Sequence, residues 1–235
     1  MKPRKINDYK KVIFVEGDDD FHFLCNLLEI EGINDVYVEK INGKTKLKQT
    51  LRAFKSIESF NEKESIFLII DADESFSDTE RSIISTLNEL NISSPSSHNE
   101  IAINGSTKIS FFIMPGKNKN GAIEDLIIAH ACKKEVFRYI DDLFNKIKEQ
   151  ESIITSLDPD YAYPNNEKKA KVQVYLSCNK ESDSRIGISM KNKTIDTDDD
   201  CFSEIKEFIS KIWNNSTYKI IAQWLKTIIK FNIML

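Results

Sequence analysis

Histidine and cysteine are scarce in this chain, and neither type is grouped. His22, His98 and His130 share no metal-ligand spacing, so an imidazole-built metal centre is not expected. Cys25, Cys132, Cys178 and Cys201 are scattered, without a short pair of the zinc-knuckle or redox kind. Free thiols in a reducing compartment are the expectation. No apolar run approaches the roughly 18 residues that a membrane span needs. The basic start MKPRKINDYKK has no apolar stretch behind it for a signal peptide. These absences predict a soluble, cytoplasmic protein with no membrane association. Internal repeats and long low-complexity segments are missing too. Positive charge is not in surplus: the net charge is −4. That argues against a protein that coats nucleic acid through a general basic surface, and leaves room for a local basic groove around an acidic centre.

The 235 residues, 40% hydrophobic and 30% charged, suffice for one sizeable core. The first half alternates between two hydrophobic periods. Strands are expected at 11–15, 36–41, 65–70 and 109–114, and helices at 21–30, 44–60 and from about 78 to 90, with Asp78 or Thr79 as the cap of the last. The run SIFLII reads as a central strand covered on both faces. The polar stretch 91–106 reads as loop, with a further short strand offered at 100–103. This alternation is the signature of a parallel sheet with crossover helices. The second half reads as helices at 121–150, 167–178, 202–213 and 218–231, separated by the polar loop 158–166 and the turn-rich stretch 179–200. The expectation is an α/β, Rossmann-like core with a four-stranded, mainly parallel sheet over residues 1–132, and a mainly helical C-terminal extension, 133–235, packed on it. Trp213 and Trp224 fall on apolar stripes and read as core. In the last helix Ile220, Ile221, Trp224, Leu225, Ile228 and Ile229 recur at helical period, a face that packs on the domain or docks a partner subunit.

Acids follow the predicted strand ends. The first strand runs into Glu16-Gly17 and Asp18 to Asp20; the third into Asp71-Ala72-Asp73-Glu74. The fourth is followed by the basic loop Gly116-Lys-Asn-Lys-Asn-Gly121 and then Glu124-Asp125. In an open parallel sheet the carboxyl ends share one edge, where ligands bind. Three acidic clusters distant in sequence would converge there, and convergent carboxylates need a counter-charge, such as a hard divalent cation with oxygen ligands. Asp71 and Asp73, at i and i+2, would face the same side of a strand end. Gly17 permits a tight turn, and Asp20, four residues after Glu16, would reach back to the same cavity. Taken alone, Asp18 and Asp19 are ordinary helix-start acids.

This ordered combination resembles the TOPRIM domain, the catalytic α/β module of topoisomerases, bacterial primases and OLD-family nucleases, in which a Glu ends the first strand and an Asp-x-Asp ends the third. The Glu16-x-x-x-Asp20 spacing resembles the OLD-type nucleases and implies a second metal site. The segments VEGDDDFHFL, INGKTKL, LIIDADE, IMPGKNKNGAIEDLI and KKAKVQVYLS resemble, in order, a family of short stand-alone TOPRIM-related proteins without an established activity. The resemblance and the spacing together imply Mg²⁺ or Mn²⁺ held by Asp71 and Asp73, with Glu16 as ligand or general acid/base. Asp20 and Glu124 would be ligands of a second ion, and Asp125 a weaker one. Two such ions, roughly 3.5–4 Å apart, suit phosphodiester hydrolysis. No tyrosine stands out as a strand-passing nucleophile. Lys117 and Lys119 are the best-placed phosphate contacts, ahead of Lys44, Lys46, Lys169 and Lys171.

The expectation is therefore a metal-dependent nuclease acting on DNA or RNA, as effector of a bacterial antiphage or toxin module. The OLD resemblance implies an ABC-type ATPase partner. Gly43-Lys44-Thr45 has the ending of a Walker A motif without its upstream glycine, so that ATPase would be a separate subunit. A homo-oligomer stays open. The alternative is a non-catalytic module that binds metal and nucleic acid or a partner ATPase. A phosphatase of the HAD type is disfavoured, because its Asp-x-Asp follows the first strand.

Overall fold

The computed structural model describes residues 5–181 and 183–213. Five strands form one sheet, in the order β2 (Val36–Lys40), β1 (Lys11–Val15), β3 (Ser65–Asp71), β5 (Thr107–Met114) and β4 (Ile101–Asn104). Strands β1, β2, β3 and β5 are parallel, and β4 closes one edge antiparallel to β5. The architecture is thus α/β and Rossmann-like, with one strand more than the four of the main sequence pattern. The fifth is the short stretch offered inside the polar loop; at four residues, with partly exposed side chains, it carries little hydrophobic signal.

Alternation across the strands sends Ile13, Val15, Phe67, Ile69, Phe112 and Met114 to one face, and Val12, Phe14, Ile66, Leu68, Phe111 and Ile113 to the other. Both faces are covered, which is why these strands read as continuous apolar runs. Helices α1 (Asp18–Ile30), α2 (Leu47–Lys55), α3 (Phe76–Glu89), α4 (Ile123–Ala131), α5 (Glu135–Glu149), α6 (Glu151–Leu157), α7 (Glu167–Ser177), α8 (Ile186–Lys191) and α9 (Ser203–Ser210) follow in chain order. The second face is covered by α2 and α3 through Leu47, Leu51, Phe54, Ile83 and Leu87. The first is covered by α1 and α4 together with later helices, through Leu24, Leu27, Ile127, Tyr175 and Phe208.

Several boundaries differ from the periodicity. The cap of α3 is Ser75, whose hydroxyl accepts the Asp78 N–H at 3.2 Å; Asp78 and Thr79 lie inside the helix. The 121–150 pattern breaks after Ala131, so that Phe137, Ile140 and Phe144 of α5 turn into the core, with Phe137 against Tyr175 of α7. The turn-rich stretch contains α8, which packs on α1. None of the four cysteines, all among the described residues, is in a disulfide. Among the described residues no helix is long and apolar enough to cross a membrane. The helix expected at 218–231 lies outside the described residues.

Phe208 of α9 is fully buried, its ring 5.0 Å from Phe67 and 5.3 Å from Phe112. Phe208→Ala should lower the unfolding free energy by about 3–5 kcal/mol, read by urea titration. A loss under about 1 kcal/mol would mean that α9 is not part of the sheet's core.

Candidate metal centre

The parallel strands end on one edge, and the acids are set by how each strand hands over to the next element. After β1, Glu16 and Gly17 turn the chain into α1. Gly17 is the N-cap, and its N–H donates to Asp20 Oδ2 at 2.9 Å. That bond bends the third helical carboxylate back toward the strand end, where Asp20 is only 6% exposed. Asp71 is the last residue of β3, and its N–H donates to Glu16 Oε2 at 3.4 Å. Helix α4 brings Glu124 in on its first turn, 7% exposed.

Asp73 is positioned by other means. β3 stops at Asp71, and Asp73 adopts a φ of 51°, a left-handed conformation that Asp tolerates better than most residues. The i, i+2 alternation invoked for Asp71 and Asp73 therefore does not extend to Asp73. Two backbone bonds to Gly121, of 2.8 and 2.7 Å, hold it instead. The Asn120 side chain adds two more, accepting the Phe76 N–H at 2.9 Å and donating to Glu74 O at 2.8 Å. The basic loop after β5 is thus fastened to the Asp73 turn. The Asp73 carboxylate is half exposed and pairs with Lys44 Nζ at 2.6 Å.

The electrostatics follow from this crowding. Burial, then the charges of Asp20, Glu16, Glu124 and Asp73, push Asp71 up to about 9. Burial pushes Asp20 up to about 6, opposed by the Gly17 N–H and reinforced by Glu16 and Glu124. Glu16 and Glu124 are raised by burial too, with Lys44 opposing the shift at Glu16 and Lys169 at Glu124. Oδ1 of Asp20 and Oδ1 of Asp71 are out of solvent and have no hydrogen-bond partner, an arrangement that costs free energy.

Lysines stand around these acids. Lys40 pairs with Asp18 at 2.5 Å, Lys44 with Asp73, Lys168 with Asp125 at 2.5 Å and Lys169 with Asp19 at 2.6 Å. Asp18 and Asp19 thus serve the helix start and bind lysines. Asp125 caps α4 by accepting the Ala122 N–H at 3.0 Å. Lys171 pairs with Asp141 and Glu167. In the basic loop, the Lys117 N–H donates to Glu204 Oε2 at 2.9 Å, and Lys119 Nζ lies 3.6 Å from Glu204 Oε1. Of these, Lys40, Lys168, Asn120 and Glu204 escape the sequence reading. Their partners lie 22 to 87 residues away, and no local pattern marks such pairings.

Among the described residues, no three Asp, Glu, His or Cys side chains are already disposed to share one metal ion. The donor chemistry nevertheless fits a hard divalent cation. The clustered groups are carboxylates acting on one another, and two of their buried oxygens lack any donor. Asp73, at the rim of the cluster, is engaged by Lys44. One hollow, about 750 Å³ and lined by residues such as Tyr9, Phe21, Val36 and Tyr37, holds none of the clustered acids. A far smaller one, about 10 Å³, is lined by Asp19, Glu124 and Lys169.

Fold and site together define an α/β protein with an acidic centre at the carboxyl edge of a mostly parallel sheet. The family described as "Protein of unknown function (DUF3226)" matches residues 10–229, and the chain belongs to that family. No curated protein matches the chain. Among solved structures it is similar to the C-terminal region of the Xanthomonas campestris pv. campestris OLD protein. In the structure phased with mercury the identity is 12%, over 87% of this chain and 96% of that one, at a TM-score of 0.44. In the structure phased with platinum it is 14%, over 79% and 77%, at 0.35. These likenesses are distant and assign no chemistry to this chain.

Asp20 and Asp71 bind protons more tightly in the folded chain than at their ordinary value of 3.8. Their contribution to stability is full below that value. It is lost as pH rises through about 6 for Asp20 and about 9 for Asp71. In EDTA, Tm should fall by several degrees between about pH 5 and pH 9, and Mg²⁺ or Mn²⁺ at the upper end should recover most of it. Asp71→Asn should flatten both responses. A metal-free Tm that is level or rising over this range would contradict the proposed repulsion.

Proposed function

We propose that this chain is a metal-dependent nuclease with a TOPRIM-like core, hydrolysing phosphodiester bonds of DNA or RNA. The observation that supports it most is the pair of buried, partnerless oxygens on Asp20 and Asp71, in the field of Glu16 and Glu124 and ringed by lysines. Glu16, Asp71 and Asp73 would hold one Mg²⁺ or Mn²⁺, and Asp20 and Glu124 a second. Bound cations of this kind polarise a phosphoryl oxygen and activate water. The chain's own residues do the remaining work. Glu16, raised by burial, is suited to hold or release a proton. Lys44 neutralises Asp73 while no cation is there. Were Asp73 to hold a cation, the Lys44 ammonium would be available to a phosphate oxygen. Lys117 and Lys119 would contact the nucleic-acid backbone further along the edge. The sequence resemblance to OLD-type nucleases adds a separate ABC-type ATPase subunit and a place in an antiphage or toxin module to the proposal.

A second reading, a module that binds metal and nucleic acid or a partner ATPase without cleaving, is favoured by the Lys44–Asp73 pair, because a lysine already neutralises an acid that hydrolysis would need. Purified protein incubated with plasmid, single-stranded DNA and total RNA, in Mg²⁺ or Mn²⁺, separates the two. The nuclease reading expects cleavage that EDTA abolishes, and that Glu16→Gln and Asp71→Asn each reduce by about 100-fold or more. Cleavage unaffected by both substitutions would remove this site from the chemistry. Cation-dependent binding with no cleavage of any substrate would favour the binding module.

A further inference from the structure

The loop that follows β5 packs against a carboxylate of α9. Its Gly116 has a φ of 152°, and a Cβ built there would lie 2.8 Å from Glu204 Oε2. The carboxylate of Glu204 therefore fills the space that the glycine leaves open. It accepts the Lys117 N–H at 2.9 Å and faces Lys119 Nζ at 3.6 Å. Glu204 is at the start of α9, more than 80 residues later in the chain, and its side chain is 42% exposed. Solvent and solutes can reach it.

A buried imidazole is bonded to β5, the strand that leads into this loop. His98 is 6% exposed, and its Nδ1 accepts the Ile113 N–H at 2.9 Å, so its proton sits on Nε2, which is buried without an acceptor. Burial pushes this imidazole down to about 4, with the Glu204 carboxylate opposing the shift. A backbone N–H, a lysine ammonium and the room left by a glycine without a Cβ form a small cradle, and a carboxylate with two oxygens uses only part of it. A phosphate group carries more acceptor oxygens than a carboxylate and would use more. The loop is also bonded through Gly121 to Asp73, so a phosphate held there would lie on the sheet edge beside the acidic centre.

We infer that the Gly116–Lys119 loop is a phosphate-binding cradle for the backbone of a nucleic acid, and that Glu204 occupies it at rest as an internal stand-in. The inference draws on the nuclease reading for the identity of the ligand and needs no metal for its test. With EDTA present, a fluorescein-labelled single-stranded oligonucleotide is titrated with wild type, Glu204→Gln and the double variant Glu204→Gln/Lys119→Ala, following anisotropy. In parallel, inorganic phosphate is titrated against the loop amides by NMR. Glu204→Gln keeps the side chain's shape and removes the competing charge. It should tighten oligonucleotide binding on the order of tenfold at low salt, fading as salt rises. The double variant should lose that gain. Should Glu204→Gln melt early, Glu204→Asp keeps the charge but withdraws it by one methylene, and should give a smaller gain in the same direction.

A gain for the oligonucleotide alone assigns the cradle to a polymer backbone. A gain for both ligands assigns it to phosphate groups in general, with the polymer as one source. Unchanged or weaker binding by the folded variants overturns the inference. Tighter binding by Glu204→Gln, together with no metal-dependent cleavage by wild type, would sink the nuclease reading and leave the cradle standing.

Discussion

Two carboxylate oxygens, on Asp20 and Asp71, lie out of solvent at a strand edge with no donor to meet them. A fold does not keep such a cluster cheaply, because each added acid raises the free energy of ionising the next. Here the sheet itself enforces the crowding. β1 and β3 are hydrogen-bonded neighbours, so Glu16 and Asp71 leave the sheet side by side. The Gly17 cap then turns Asp20 inward rather than to solvent. Relief by protonation would blunt any chemistry the acids perform. A divalent cation would relieve the cluster and keep every carboxylate ionised.

The lysines show how the chain manages the outer acids without such a cation. Asp18, Asp19, Asp73 and Asp125 each have a lysine within 2.6 Å, while the buried Oδ1 atoms of Asp20 and Asp71 have no hydrogen-bond partner. Exposed pairs of this kind contribute little to stability, with a median near zero to about 1 kcal/mol. They are therefore easy to exchange for a stronger counter-charge. The rim neutralises, and the centre stays unsatisfied. That division separates an unsatisfied interior from an ordinary charged surface.

Much of this was legible in the sequence where the signal is local. The strand-ending Glu16-Gly17 and the apolar run ahead of Asp71 sit where the hydrophobic pattern puts them, and Asp20 turns back as its spacing suggests. Asp73 is the instructive exception. Strand alternation brings it to the right neighbourhood for the wrong reason, since its placement depends on Gly121 and Asn120 in a distant loop. The Ser75 cap hides behind an equally good candidate three residues on, Asp78, which pairs with Arg81 instead. Lys40, Lys168 and Glu204 carry no sequence signal at all, because a surface charge reveals its partner only when the chain is folded.

The later helices therefore do more than cover a sheet face. α7 supplies Lys168 and Lys169 to the acids of α4 and α1, and α9 supplies Glu204 to the loop that fastens Asp73. An α/β core without them would expose Phe67 and Phe112 and would also leave the acids of two helix starts without these lysines. Helix packing and site electrostatics are thus coupled through the same elements. A shift of α9 by a side chain's length would break the Glu204 contacts to Lys117 and Lys119, in the loop whose Gly121 is bonded to Asp73. The geometry at the sheet edge depends on a core whose far side is built last in the chain.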